Sequence, residues 1–197
     1  NNAGYGQYGP VEDVPSDELH RQFDVNVYGP HRLTRAVLPH MRDQGDGTIV
    51  NVSSVSAAVS APGTGPYSAS KAALERLSDA LRSEVDDFGV DVVLVQPGPV
   101  ATNFTERYED ELLSGLDRRT DVYGWIYDTL EDASVVGGSA PIAAEPEDVA
   151  VVIHDAAEAT NPKARYPVGR VAQFMLLSRY LPDDVRDLGY RLYRKVT

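Results

Sequence analysis

Tyr67 and Lys71 stand four residues apart in Tyr67-Ser-Ala-Ser-Lys71, thirteen residues after Ser54 in the run Asn51-Val-Ser-Ser-Val55. On a helix, residues i and i+4 lie one above the other on the same face. A free phenol has a pKa of about 10, too high for ready proton exchange at neutral pH; an ammonium beside it favours the phenolate and lowers that value. A serine hydroxyl on a neighbouring strand can then hold the oxygen that gains or loses the proton. The three residue types together make an acid/base site suited to interconverting a carbonyl and an alcohol. Alone, the Tyr-x-x-x-Lys pair also has a plainer reading, an exposed lysine one turn along from a half-buried tyrosine, and short patterns recur by chance. The surrounding elements carry the weight.

At 197 residues the chain is long enough for one domain, 1–197, with a real core. Its 42% apolar and 24% charged residues are ordinary for a globular protein. It contains no apolar run long enough to span a membrane and no opening signal segment, which points to the cytoplasm. The absence of Cys excludes disulfides and thiolate metal sites, and His20, His31, His40 and His154 show no ligand-like spacing, so no metal is expected. The net charge of −12, with nineteen Asp against three Lys, argues against nucleic acid and anionic membranes as partners. It also suits a protein that stays soluble in concentrated salt. Asn51-Val-Ser and Asn103-Phe-Thr match the glycosylation pattern, but the first falls in a buried-strand candidate.

The positioning elements follow from periodicity. Ser16-Asp-Glu starts a helix, with Ser16 as its cap and apolar residues at Leu19, Phe23, Val27, Leu33, Val37 and Met41; Pro30 should disturb it near Asn26. Thr48 to Ser54 reads as a buried strand, about Pro66 to Phe88 as a long helix, and Asp91 to Gln96 as a second strand ended by Pro97-Gly98-Pro99. Another helix begins at Glu145, a last strand at Tyr166, and a final helix spans Pro182 to Lys195. Strands separated by helices of this length predict an α/β fold with a parallel sheet. The stretch of about 103–142 has no clear periodicity, carries several aromatics, and is placed where open α/β sheets bind ligands; the plainer reading is a pair of small packed helices. Gly4-Tyr-Gly6-Gln-Tyr-Gly9 matches the dinucleotide fingerprint in letters only. No strand precedes it, and Pro10 to Pro15 separate it from the helix.

These pieces resemble the short-chain dehydrogenase/reductase family. Asn1-Asn-Ala-Gly4 is similar to that family's loop after the fourth strand, Asn26 in Val25-Asn-Val-Tyr-Gly29 to its helix asparagine, and Ser54, Tyr67 and Lys71 to its catalytic trio. Pro97-Gly-Pro-Val-Ala-Thr102 resembles the segment that covers the nicotinamide. The resemblance implies a Rossmann-like, doubly wound parallel sheet and hydride transfer with NAD or NADP. Tyr67 is then the acid/base, Lys71 lowers the phenol pKa and holds the ribose, Ser54 binds the substrate oxygen, and Asn26 orders a water. Asn2, Ala3, Gly4, Pro97, Gly98, Val100 and Thr102, with Tyr67 and Lys71, are the implied cofactor contacts. Plainer roles stand beside these: a turn cap for Ser54, a kink residue for Asn26, and a helix cap for Thr102.

The family's opening strands, Gly-rich pyrophosphate turn and cofactor-selecting residue have no counterpart here. The chain therefore reads as the C-terminal portion of a longer protein, expected by itself to bind a dinucleotide weakly or not at all. The implied substrate is a small alcohol or ketone, neutral and fairly apolar because the 103–142 stretch has few cations. A homodimer or homotetramer through helices 16–44 and 66–88 is expected. The alternative is a non-catalytic truncated relative serving as a binding or oligomerisation module.

Overall fold

Val90–Pro97 reads Val-Asp-Val-Val-Leu-Val-Gln-Pro, a nearly unbroken apolar run of the kind a strand needs when both its faces are covered. It forms β2, the middle of the three strands that the sheet has among the described residues, and Leu94 and Val95 at its centre have no exposed surface. The computed structural model of the chain describes residues 1–101, 119–131 and 143–194. The flanking strands are β1 (Gly47–Val52) and β3 (Arg165–Val168), and both pair with β2 in parallel. The backbone of Asn1 lies along the other edge of β1, where its carbonyl accepts from the Val52 N–H at 3.0 Å.

Before the sheet come α1 (Ser16–Phe23), a π-helical turn (Asp24–Tyr28) and α2 (Gly29–Gln44). Ser16 does not cap α1. Pro15 occupies the cap position in extended conformation, no side chain bonds the helix start, and Ser16 is already helical. The disturbance expected near Asn26 is present as the π turn. Pro30 has no N–H to offer the carbonyl four residues back, and the Gly29 N–H reaches the Asp24 carbonyl five residues back instead. The inserted residue splits the apolar stripe. Val27 is buried and Met41 packs on the core, whereas Leu19, Leu33 and Val37 face solvent.

Helix α3 (Gly65–Glu84) packs on β2 and on the π turn, and Gly89, in the left-handed region at φ 68°, turns the chain into β2. A Cβ at Gly89 would lie 2.2 Å from the Gly45 carbonyl oxygen, so this crossing of two turns requires glycine. Beyond β2 come α4 (Gly124–Glu131), α5 (Pro146–Glu158) against all three strands, α6 (Ala172–Ser178) and α7 (Asp183–Tyr193). The result is the α/β, Rossmann-like parallel arrangement expected from the sequence. Of the 103–142 stretch, 119–131 is described and supplies α4; the rest of that stretch, and Thr102, lie outside the described residues.

Candidate active site

Ser54 follows β1 by two residues and Pro97 ends β2, so both sit at the carboxyl ends of parallel neighbours, where this architecture binds ligands. Ser54 opens a short 3₁₀ turn, and its Oγ accepts the Ser56 N–H at 3.1 Å. The same side chain hydrogen-bonds the Tyr67 phenol. The turn-capping role is thus present, and the same hydroxyl also reaches Tyr67.

Tyr67 and Lys71 project from the first two turns of α3, on one face as their spacing requires, and both are buried. Lys71 Nζ donates to the Val52 carbonyl at 2.9 Å and stands 5.8 Å from the centre of the Tyr67 ring. Burial pushes the phenol up to about 12, with the Ser54 hydrogen bond pulling the other way, and pushes Lys71 down to about 8. The expected lowering of the phenol by Lys71 is therefore absent, and the bond to Ser54 alone draws the value down. The ammonium is itself desolvated and occupied by a carbonyl, and at that distance it does not offset the loss of water around the ring.

Asn26 sits in the π turn and is almost wholly buried. Its Oδ1 accepts the Tyr5 N–H at 3.1 Å, and its Nδ2 donates to the Tyr5 carbonyl at 2.8 Å and to Ser70 Oγ at 3.0 Å. One side chain therefore clips the opening loop to α3 beside Lys71. A Cβ on Gly4 would come within 3.0 Å of Asn26 Oδ1 and 3.5 Å of Lys71 Nζ, so this loop passes close against the site. Asn2 and Ala3 are exposed just before it. Gly98 donates to the Val168 carbonyl at 2.9 Å and Val100 bridges Ala144, which holds the 97–100 segment to β3 and to the start of α5.

Tyr8 was passed over in the sequence because it lay inside a rejected phosphate-loop pattern. Its ring is 5.5 Å from that of Tyr67 and packs against Ile126 and Leu130 of α4. Glu12 and Asp13 were missed as well. Asp13 accepts from the Tyr127 hydroxyl at 2.7 Å and from the Thr120 hydroxyl, and Glu12 accepts from the Tyr123 hydroxyl at 2.6 Å. These bonds tether α4 beside the site. Beyond it, an apolar cavity of about 460 Å³ is lined by Val59, Pro62, Trp125, Ile126 and Leu130 and bounded by α7.

A family model described as short chain dehydrogenase matches residues 1–112. The chain belongs to this family. It is 39% identical over 190 residues to the uncharacterized oxidoreductase YbbO of Escherichia coli K12, covering 95% of this chain and 64% of that one. To the NADPH-dependent 3-dehydrocapnine reductase of Ornithobacterium rhinotracheale it is 35% identical over 203 residues, covering 100% of this chain and 70% of the relative. A short-chain dehydrogenase structure from Streptomyces avermitilis superimposes with a TM-score of 0.75 at 33% identity, covering 99% of this chain and 68% of the other. The chain thus spans about two thirds of the length of these family members.

Proposed function

We propose that the complete protein is an NAD- or NADP-dependent oxidoreductase that interconverts an alcohol and a ketone or aldehyde, with Tyr67 exchanging the proton. The observation that carries this is the buried phenol of Tyr67, hydrogen-bonded to Ser54 and followed one helical turn later by buried Lys71. A phenol whose pKa is about 12 keeps its proton at neutral pH. It can give that proton to a carbonyl oxygen only where the phenolate that results is stabilised in place. Ser54 holds that oxygen as charge develops on it. Lys71 stabilises the phenolate left behind.

The bare Gly4 backbone beside Lys71 fits a nicotinamide dinucleotide, which supplies the hydride when bound. Asn2, Ala3 and Gly4 on one side, Pro97, Gly98, Val100 and Thr102 on the other, and the Tyr67 and Lys71 side chains would hold it. The NADPH-dependence of the dehydrocapnine reductase makes NADPH the first cofactor to test. The Asn26 side chain keeps the opening loop and α3 in register, and ordering of a water by its backbone is part of the same proposal. The apolar cavity beside α4 supports a neutral ketone with appreciable apolar surface as substrate.

Leu33, Val37 and Leu77 stand exposed on α2 and α3, which supports assembly into a homodimer or homotetramer through those helices. The test of function is oxidation of reduced nicotinamide by the full-length protein across a series of ketones of increasing chain length. Turnover that rises with chain length supports the reading; no turnover with either cofactor on any ketone contradicts it.

A further inference from the structure

Helix α7 is amphipathic but faces the wrong way for a solvated helix. Its polar side, with Arg186, Asp187 and Tyr190, lies over a cavity of about 500 Å³ against residues 56–60 and α3, and the Tyr190 hydroxyl donates to the Ser60 carbonyl at 2.9 Å. Its apolar side, Val185, Leu188 and Leu192, is turned to solvent. Phe174, Leu177 and Tyr180, on and just after α6, do the same, and all six side chains are 50–77% exposed. Scattered exposed apolar residues are ordinary; six on two consecutive helices form a surface that something covers.

The charge distribution indicates what does. Residues 163–197 carry eight of the eighteen Lys and Arg but three of the thirty Asp and Glu. The remaining 162 residues hold ten basic and twenty-seven acidic side chains. The whole-chain value of −12, which argued against anionic membranes, conceals one basic end. Arg170, Arg191 and Arg194 are exposed around the apolar face, and Arg194 lies 5.0 Å over the ring of Trp125, the only tryptophan. Asp183, Asp184 and Asp187 stand exposed in the first turns of α7, so the cationic side is formed by Arg170 and by Arg191 and Arg194 at the far end; apolar side chains beside these arginines, with an indole at the margin, match the boundary of an anionic bilayer. Among the described residues no helix is long and apolar enough to cross a membrane, so α6 and α7 would lie on the surface.

We propose that α6 and α7 dock this protein on anionic lipid surfaces, independently of the reaction at Tyr67. The test is co-flotation of the full-length protein with vesicles of phosphatidylcholine, with and without about a third phosphatidylglycerol. Docking predicts at least tenfold more bound protein on the anionic vesicles, reversal by high salt, and a return to the neutral-vesicle level in Arg170→Glu/Arg191→Glu. It also predicts loss of binding in Phe174→Ser/Leu188→Ser/Leu192→Ser, with turnover of a small water-soluble ketone unchanged. Equal binding to both vesicle types, or none, overturns the proposal. So does a fall in the solution mass of the triple-serine variant, which would make the face a contact between copies.

Discussion

The Tyr8 ring lies 5.5 Å from the Tyr67 ring, tilted by 39°, and joins the Tyr67 phenol to α4. Aromatic pairs of this kind contribute roughly 0.5–1.5 kcal/mol beyond the area they bury. Tyr8→Phe should keep the contact and stay within threefold of the parent in kcat/KM. Tyr8→Ala should lose about tenfold and lower the melting temperature by several degrees. Steady-state kinetics on the pair of variants checks both.

Lys71 is held charged in a buried place at a cost to stability. Its folded pKa of about 8 lies below the usual 10.5, so the unfolded chain binds the proton more tightly. The penalty is complete below pH 8 and disappears as pH rises from 8 to 10.5, at about 1.4 kcal/mol per unit of separation. Lys71→Met removes the penalty along with the 2.9 Å bond to the Val52 carbonyl. The variant should melt higher than the parent at pH 7, with the gap closing toward pH 10, and should be inactive. Melting curves across that range give the sign directly.

Glu75, one turn beyond Lys71 on α3, is almost fully buried and accepts from Ser53 Oγ and from Gln96 Nε2, both at 2.8 Å. Arg165 of β3 stands 3.9 Å from its other oxygen, and its Nη2 donates to both carboxylate oxygens of Asp79. This cluster ties α3 to the strands that bear the site. Removing one partner of a buried charged network typically costs about 3–5 kcal/mol. Glu75→Ala should lose stability in that range, and Glu75→Gln, which keeps the acceptor, considerably less. Denaturant unfolding separates the two.

Asp13 should act on substrate binding and not on proton transfer. Its carboxylate accepts from Tyr127 and Thr120 and so anchors α4; burial, together with the bond to Asp13, raises the Tyr127 pKa. Asp13→Ala should raise KM severalfold with kcat nearly unchanged. A proportionate fall in kcat would show that α4 also sets the geometry at Tyr67.

The order of strands and helices was legible because β1, β2 and α3 have strong periodicities and sharp Gly and Pro boundaries. Tyr67 and Lys71 were legible because they stand one turn apart on α3, and Ser54 because it follows β1 by two residues, whereas Asn26, in the π turn, was legible only through the family resemblance. Tyr8, Glu12 and Asp13 were not. They lie on an irregular loop, and their partners Tyr123 and Tyr127 are more than a hundred residues away. Nor could spacing decide the phenol's pKa, which depends on how completely α3 is covered. The basic character of 163–197 was on the page as composition, but averaging over the chain hid it.

The most direct test of the central claim is Tyr67→Phe in the full-length protein, with turnover and NADPH affinity measured together. Loss of the hydroxyl alone should reduce turnover at least a hundredfold, as expected when a positioned proton donor is removed, and leave cofactor affinity within about threefold. Turnover within threefold of the parent would mean that Tyr67 does not transfer the proton, and the assignment of the site would be wrong.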